Sequence, residues 1–200
     1  MKSMIKDAVI LFVITLVAGL ALGYVNSITK EPIAIAKQNA KEAAYKEVFS
    51  DASNFEDAGS NNSIDMSDEG FEGVTIDEVM LAKDTSSSTL GYVITVTTNQ
   101  GYGGDITFSV GIRNDGTING ISILSISETA GLGMKAEEVL KPQYANKNVG
   151  SFIVTKMGAT TDEEIDAISG ATITSNAVTG AVNASLSYFE NTLGGGADEE

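Results

Sequence analysis

The sequence predicts an α+β protein: one N-terminal transmembrane helix, then a domain built on an antiparallel sheet and closed by a C-terminal helix. Three observations predict it. Residues 8–25 carry no charge over eighteen positions, about 27 Å of helix against a hydrocarbon layer of about 30 Å. Ile106, Phe108, Val110 and Ile112 alternate with Thr107, Ser109, Gly111 and Arg113, the period-two pattern of a half-buried strand. Ala177, Val178, Ala181, Ala184, Leu186 and Phe189 recur at helical spacing near the C-terminus.

Taken in order, residues 1–27 read as a membrane anchor. A cleaved signal has a shorter apolar core followed by a small-residue cleavage site. Here the run ends in Gly23-Tyr24-Val25-Asn26, with Tyr24 suited to the membrane interface. Thr15, Gly19, Gly23 and Ser27 recur every four residues, a groove that lets another helix approach closely. Lys2 and Lys6 precede the span and Lys30, Lys37 and Lys41 follow it, so positive charge does not choose its orientation.

Residues 28–50 read as a helical stalk, with Ile33, Ala36, Ala40, Ala44 and Val48 at 3–4 spacing and Pro32 fitting the first turn of a new helix. Residues 51–73 are rich in Asp, Ser, Asn and Gly without periodicity, an acidic surface loop. Its Asp65, Asp68 and Glu69 miss the spacing of a calcium loop. A domain follows over residues 74–193. Strands are expected over 76–83, 90–98, 106–113 and 118–126, with Asn114-Asp115-Gly116 as a hairpin turn. A short helix is expected over 136–140 and the last helix over 174–193. Residues 194–200 form a Gly-rich, acidic tail.

Composition removes several functions. Twelve Lys+Arg against twenty-seven Asp+Glu give −15, which repels phosphate backbones and disfavours nucleic acid as a partner. With no Cys there are no thiolate iron–sulfur ligands, disulfides or Cys nucleophiles. With no His there is no imidazole metal site and no Ser-His-Asp chemistry. The Asp162-Glu163-Glu164 cluster reads as a solvated loop or helix start, so no metal ligands are assigned. Redox chemistry in this chain requires an organic cofactor.

The most informative stretch is Asp166-Ala167-Ile168-Ser169-Gly170-Ala171-Thr172-Ile173-Thr174-Ser175, where a loop becomes the last helix. Free amides at a helix start form an anion site, and small side chains leave room for a phosphate. The alternative is an ordinary cap by Ser169 or Thr172 with nothing bound. Two further segments are Gly101-Tyr102-Gly103-Gly104-Asp105-Ile106 and Ser127-Glu128-Thr129-Ala130-Gly131-Leu132-Gly133.

In this order, behind one span, the three segments resemble FMN-binding domains. They match the flavinylation signature D-x-x-[ST]-G-A-[TS], the G-Y-x-G-x-I turn and the E-T-P-G-L-G loop of that family. The resemblance covers nearly the whole chain and is strongest to the G subunits of Rnf-type electron-transport complexes, with the C subunits of sodium-pumping NADH:quinone reductases as relatives. It implies one covalent FMN per chain, joined to the Thr172 hydroxyl by a phosphoester. Asp166, Ser169, Gly170 and Ala171 would form the signature read by a separate Mg-dependent flavin transferase that uses FAD. A hydroxyl is a poor nucleophile alone and this chain has no His to activate it, which suits an outside enzyme.

Glu128, Thr129, Leu132 and Gly133 would line the isoalloxazine and ribityl portions; the alternative is a β-turn after a strand. Ala130 replaces the usual proline and removes a rigid φ from that loop. Gly103 and Gly104 would either approach the flavin or form only a turn. The resemblance further implies a role as electron relay in an ion-translocating ferredoxin:NAD oxidoreductase complex of the cell membrane. The chain would have no ferredoxin or NAD site of its own, its domain would lie on the outer face, and its partners would be other membrane and redox subunits, the transferase during maturation, and lipid. A stand-alone anchored flavin carrier for an extracytoplasmic reductase and a non-redox acidic binding domain are the rival readings.

Overall fold

A computed structural model describes residues 2–59 and 63–194. The chain divides into two units, residues 1–41 and 42–200. Helix α1 (Lys2–Val48) begins in the first unit and ends in the second. Its apolar part is long enough to cross a membrane and is fully exposed, as a lipid-facing helix must be. No new helix begins at Pro32, which lies inside α1. A proline removes one amide donor and leaves one carbonyl without its helical partner, and membrane-type helices tolerate this where neighbouring groups compensate. The Thr15 hydroxyl is engaged locally, donating to the Leu11 and Phe12 carbonyls at 3.0 Å.

In the second unit, strands β1 (Asn54–Asp57), β2 (Ile64–Asp65), β3 (Val74–Lys83), β4 (Thr89–Thr98), β5 (Ile106–Arg113) and β6 (Ile118–Ile126) form one antiparallel sheet. The order is β1-β3-β4-β5-β6, and β2 also pairs with β3. The short helix α2 (Ala136–Val139) follows β6, β7 (Ile153–Thr155) and β8 (Glu164–Asp166) pair in parallel, and α3 (Thr172–Thr192) closes the fold. The expected tail from Gly195 onward lies outside the described residues.

One face of the sheet carries Ile94, Val96, Ile106, Phe108, Val110 and Ile112, packed with Val178, Ala181, Val182 and Phe189 of α3 in one buried cluster. The small side chains of α3 let the helix lie close to the strands. Beside it, the Tyr144 hydroxyl is 2.7 Å from Thr179 Oγ1 in a fully buried contact.

The other face departs from expectation. The alternation in β5 suggests one solvated side, yet Ser109 and Gly111 are buried as well. The end of α1 covers them: Tyr45, Val48 and Phe49 form a second cluster with Ala82 and Val93. The face is floored with glycine, and a Cβ at Gly111 would lie 2.8 Å from Val48 Cβ, while one at Gly91 would lie 2.8 Å from Phe49 Cζ. The polar groups buried there are paired. Thr95 Oγ1 meets Ser109 Oγ at 3.2 Å, Tyr45 donates to Glu78 Oε2 at 2.9 Å, and Ser122 donates to Glu47. Asn119 Nδ2 donates to the Val48 carbonyl at 2.9 Å and so caps the end of α1.

The stretch 51–73, expected to be a loop, adds two short strands to the edge of β3. Phe55 faces Ala82 and Ile64 faces Ile76 in the register, and Met66 is completely buried. Its few apolar residues, not its many acids, decide the local structure.

Candidate functional site

Helix α3 starts at Thr172, two residues before the expected boundary, and this changes the reading of its first turn. The N-cap position is Ala171, and among the described residues no side chain caps the helix. Neither Ser169, which is exposed, nor Thr172 plays the capping role. The first amides of a helix have no intrahelical acceptor, so the start of α3 presents open N–H groups and the positive end of a 21-residue helix.

Three hydroxyls crowd this start, and the structure separates them. Ser175 Oγ is buried, accepts the Ile168 amide at 2.9 Å and donates to the Ala171 carbonyl at 3.0 Å. Thr174 is buried and donates to Glu128 Oε2 at 2.8 Å. Thr172 is partly exposed, and its hydroxyl makes no hydrogen bond among the described residues.

Around this start lies a cleft of about 510 Å³ lined by Tyr102, Glu128, Thr129, Leu132, Gly133 and residues 170–174, within the range of ligand sites, about 300–1,000 Å³. All three sequence segments therefore converge on one place. The exposed side chains of Tyr102, Leu132 and Ile173 give it apolar surface for a planar ring, and the amides of α3 give it an anion-binding start. No Lys or Arg is among the lining residues. Gly170 has φ +79°, and a Cβ there would lie 3.1 Å from Leu132 Cδ2, so glycine brings the two loops together.

A cleft of about 600 Å³ lies beyond Ile173, lined by Phe71, Gln100, Asn176 and Gly180 among others. It is larger, but of the three segments only Ile173 contributes to it, so the smaller cleft is the candidate site.

Several predicted residues do not line that cleft. Asp166 Oδ1 accepts the Ala159 amide at 2.7 Å, and its backbone exchanges hydrogen bonds with the Gln143 side chain. It shapes the loop before α3 and is absent from the lining, as is Ser169. Gly103 and Gly104 are also absent. Gly103 donates its amide to Glu128 Oε1 at 3.0 Å, and a Cβ on it would collide with the Ser127 carbonyl oxygen. Its glycine is needed for packing against protein. Sequence reasoning missed Tyr102, Ile173 and Thr174 as lining residues, although all three sit inside the quoted motifs.

The acidic cluster at 162–164 is accounted for locally. Asp162 pairs with Lys147, and Glu164 Oε2 accepts the Thr160 amide and hydroxyl. Those bonds hold the Glu164 carboxyl below the usual carboxylate range. Among the described residues no group of His, Asp or Glu has metal-binding geometry.

Comparison with known proteins adds to this geometry. Residues 101–187 match the FMN-binding domain family and residues 1–48 match the RnfG N-terminal region. The chain is 35% identical to the G subunit of the Na(+)-translocating ferredoxin:NAD(+) oxidoreductase complex of Acetobacterium woodii, over 95% of this chain and 93% of that protein. It is 31% identical to the G subunit of the ion-translocating oxidoreductase complex of Methanosarcina acetivorans, over 94% and 95%. The crystal structure of Shewanella oneidensis NqrC aligns with 55% of this chain and 54% of its own, at a TM-score of 0.46 and 21% identity.

Proposed function

Because the chain belongs to the G-subunit family of ion-translocating oxidoreductase complexes, we propose that it is the flavin-bearing electron relay of such a complex, with FMN joined covalently to Thr172. The observation that carries this reading is the state of the three hydroxyls at the start of α3: two are engaged in buried hydrogen bonds and only Thr172 is free at the cleft. The cleft suits FMN in kind. Tyr102, Leu132 and Ile173 offer apolar cover for the ring system, and the uncapped amides of α3 suit a phosphate. Bound FMN supplies reversible one- and two-electron transfer, which no side chain of a protein without Cys or His replaces.

The chain's own residues hold and shield the group. Thr172 supplies the Oγ–phosphorus bond, Gly170 and Ala171 keep that oxygen accessible, and Leu132 covers the cleft from the facing loop. Asp166 and Ser169 lie outside the cleft, which suits residues read by a maturation enzyme on the loop surface. That enzyme is a Mg-dependent transferase using FAD. The electrons pass between reduced ferredoxin and NAD through other subunits, coupled to ion movement, the ion being Na⁺ in the name of the Acetobacterium woodii relative. The single span anchors the chain, and the family resemblance supports an outer-face position for its domain.

The test is co-expression of the full chain with a flavin transferase, read by intact mass, in-gel flavin fluorescence and peptide mapping. Wild type gains one FMN mass on Thr172. Thr172→Val keeps the β-branched shape, stays folded and carries no covalent flavin, Thr172→Ser retains part, and Thr174→Val ends fully loaded. Flavin on Thr174 or Ser175 refutes the assignment, and no flavin on wild type refutes the function.

A further inference from the structure

Glu128 is the most connected polar side chain of the cleft. It is 8% exposed and accepts Gly103 N–H on Oε1 at 3.0 Å and the Thr174 hydroxyl on Oε2 at 2.8 Å. Its partners are 25 and 46 residues away in sequence, so one carboxylate ties together the Gly-rich turn, the loop after β6 and the start of α3. Glycines close around it on two sides. A Cβ at Gly101 would lie 2.7 Å from Oε1, and one at Gly133 would lie 2.6 Å from both Oε2 and Thr174 Oγ1. With both oxygens taken, the carboxylate serves the architecture of the site before it serves any ligand.

Resting on the reading that Thr172 is the attachment residue, we infer that Glu128 is a positioning residue for flavin attachment. By holding Thr174 it fixes the rotation of the first turn of α3, and with it the direction in which Thr172 presents its hydroxyl. In the attachment step Thr172 Oγ attacks the flavin-side phosphorus of FAD. The Oγ–phosphorus bond forms, the bond from that phosphorus to the bridging oxygen breaks, and AMP leaves with the bridging oxygen and its electron pair. The hydroxyl proton passes to the transferase or to solvent, and nothing is oxidised or reduced. Such a displacement needs the oxygen in line with the leaving group, and a misplacement of about 1 Å costs about a hundredfold in rate.

The experiment measures initial rates of covalent flavin transfer to the purified full-length flavin-free chain, with FAD, Mg²⁺ and the transferase. Glu128→Ala leaves the Gly103 amide and the Thr174 hydroxyl without their acceptor, and lowers kcat about tenfold or more with KM for the chain within about threefold. Glu128→Gln restores most of the rate, because its carbonyl accepts from Gly103 and its NH₂ donates to Thr174 Oγ1. Thr174→Val, which keeps the side-chain shape and loses one of the two bonds, is slowed to an intermediate rate, and Thr174→Ser matches wild type.

A folded Glu128→Ala chain labelled at the wild-type rate overturns the inference, as does a Glu128→Gln chain as slow as Glu128→Ala. Should Glu128→Ala not fold, Thr174→Val decides alone, and a wild-type rate there overturns the inference too. A wild-type chain that takes no flavin, or takes it elsewhere than Thr172, defeats the attachment reading itself. Wild type loaded at Thr172 beside unaffected variants removes only the role of Glu128.

Discussion

Replacing Phe49 by alanine tests whether the end of α1 is an integral part of the flavin-binding unit. The Phe49 side chain is 0% exposed, packs with Tyr45, Val48, Ala82 and Val93, and has the Arg113 guanidinium 5.6 Å from its ring centroid. The ring occupies the space over Gly91, where an added Cβ would lie 2.8 Å from Phe49 Cζ, so Gly91 has no side chain to fill what alanine leaves. Truncating a buried Phe to Ala costs about 3–5 kcal/mol. The lost cation–π contact is within that spread, because Arg113 keeps its bonds to Asp51 and Asn119. Taking about 4 kcal/mol and about 2–4 °C per kcal/mol for a domain of this size, Tm falls by about 8–16 °C. Thermal unfolding of the full chain in detergent, followed by circular dichroism in the β-sheet region, measures it. Gly111→Ala enters the same contact from the sheet side, pushing Val48, and costs about 1–3 kcal/mol by overpacking. A fall of less than about 3 °C for Phe49→Ala, under about 1.5 kcal/mol on that scale, refutes the packing of Tyr45, Val48 and Phe49 on the sheet.

Two further outcomes follow from the same structure. Partial burial raises the Glu47 pKa, but the bonds donated by Lys141 Nζ at 2.6 Å and by Ser122 outweigh it and hold the carboxyl below its usual range. Its contribution to stability is therefore fully present above the unfolded value of about 4.3 and is lost as pH falls through the lower folded value. Glu47→Gln should lower Tm by about 1–4 °C at pH 7, a gap that closes toward pH 3; a gap unchanged at pH 3 contradicts the assignment. In α1, a Cβ at Gly19 or Gly23 meets nothing within 4 Å, so replacing both by Leu leaves the chain and its insertion intact. Co-purification with multi-span subunits should weaken, and unchanged co-purification removes the small-residue groove as a contact.

The sheet was legible where pattern and turn chemistry coincide. β4, β5 and β6 follow the β-branched alternation, and the hairpin between β5 and β6 sits on Asn114-Asp115-Gly116, with Gly116 at φ +81°. The second face was not legible. Thr95, Ser109 and Ser122 look like solvent-facing residues, and their burial depends on Tyr45 and Glu47 arriving from α1 with matching hydrogen-bonding groups. The strands in the acidic stretch depend in the same way on the edge of β3, and β7 and β8 are three residues each, too short for periodicity. At the site, Thr172 could be singled out by motif. What distinguishes it physically from Thr174 and Ser175 lies in partners supplied by Glu128 and Ala171, and no local pattern encodes the distance between Glu128 and Thr174.

The missing cap of α3 bears on the energetics of loading the site. Ala at the N-cap position, where Ser, Thr, Asp or Asn is worth about 1 kcal/mol, leaves the first amides of a 21-residue helix without a side-chain acceptor, while Glu128 and the Ile168 amide hold Thr174 and Ser175 of the same turn. The phosphodiester proposed on Thr172 would place negative oxygens beside those amides and add about 0.3–1 kcal/mol of its own. On that proposal, flavin loading would steady the start of α3 as well as supply the redox group.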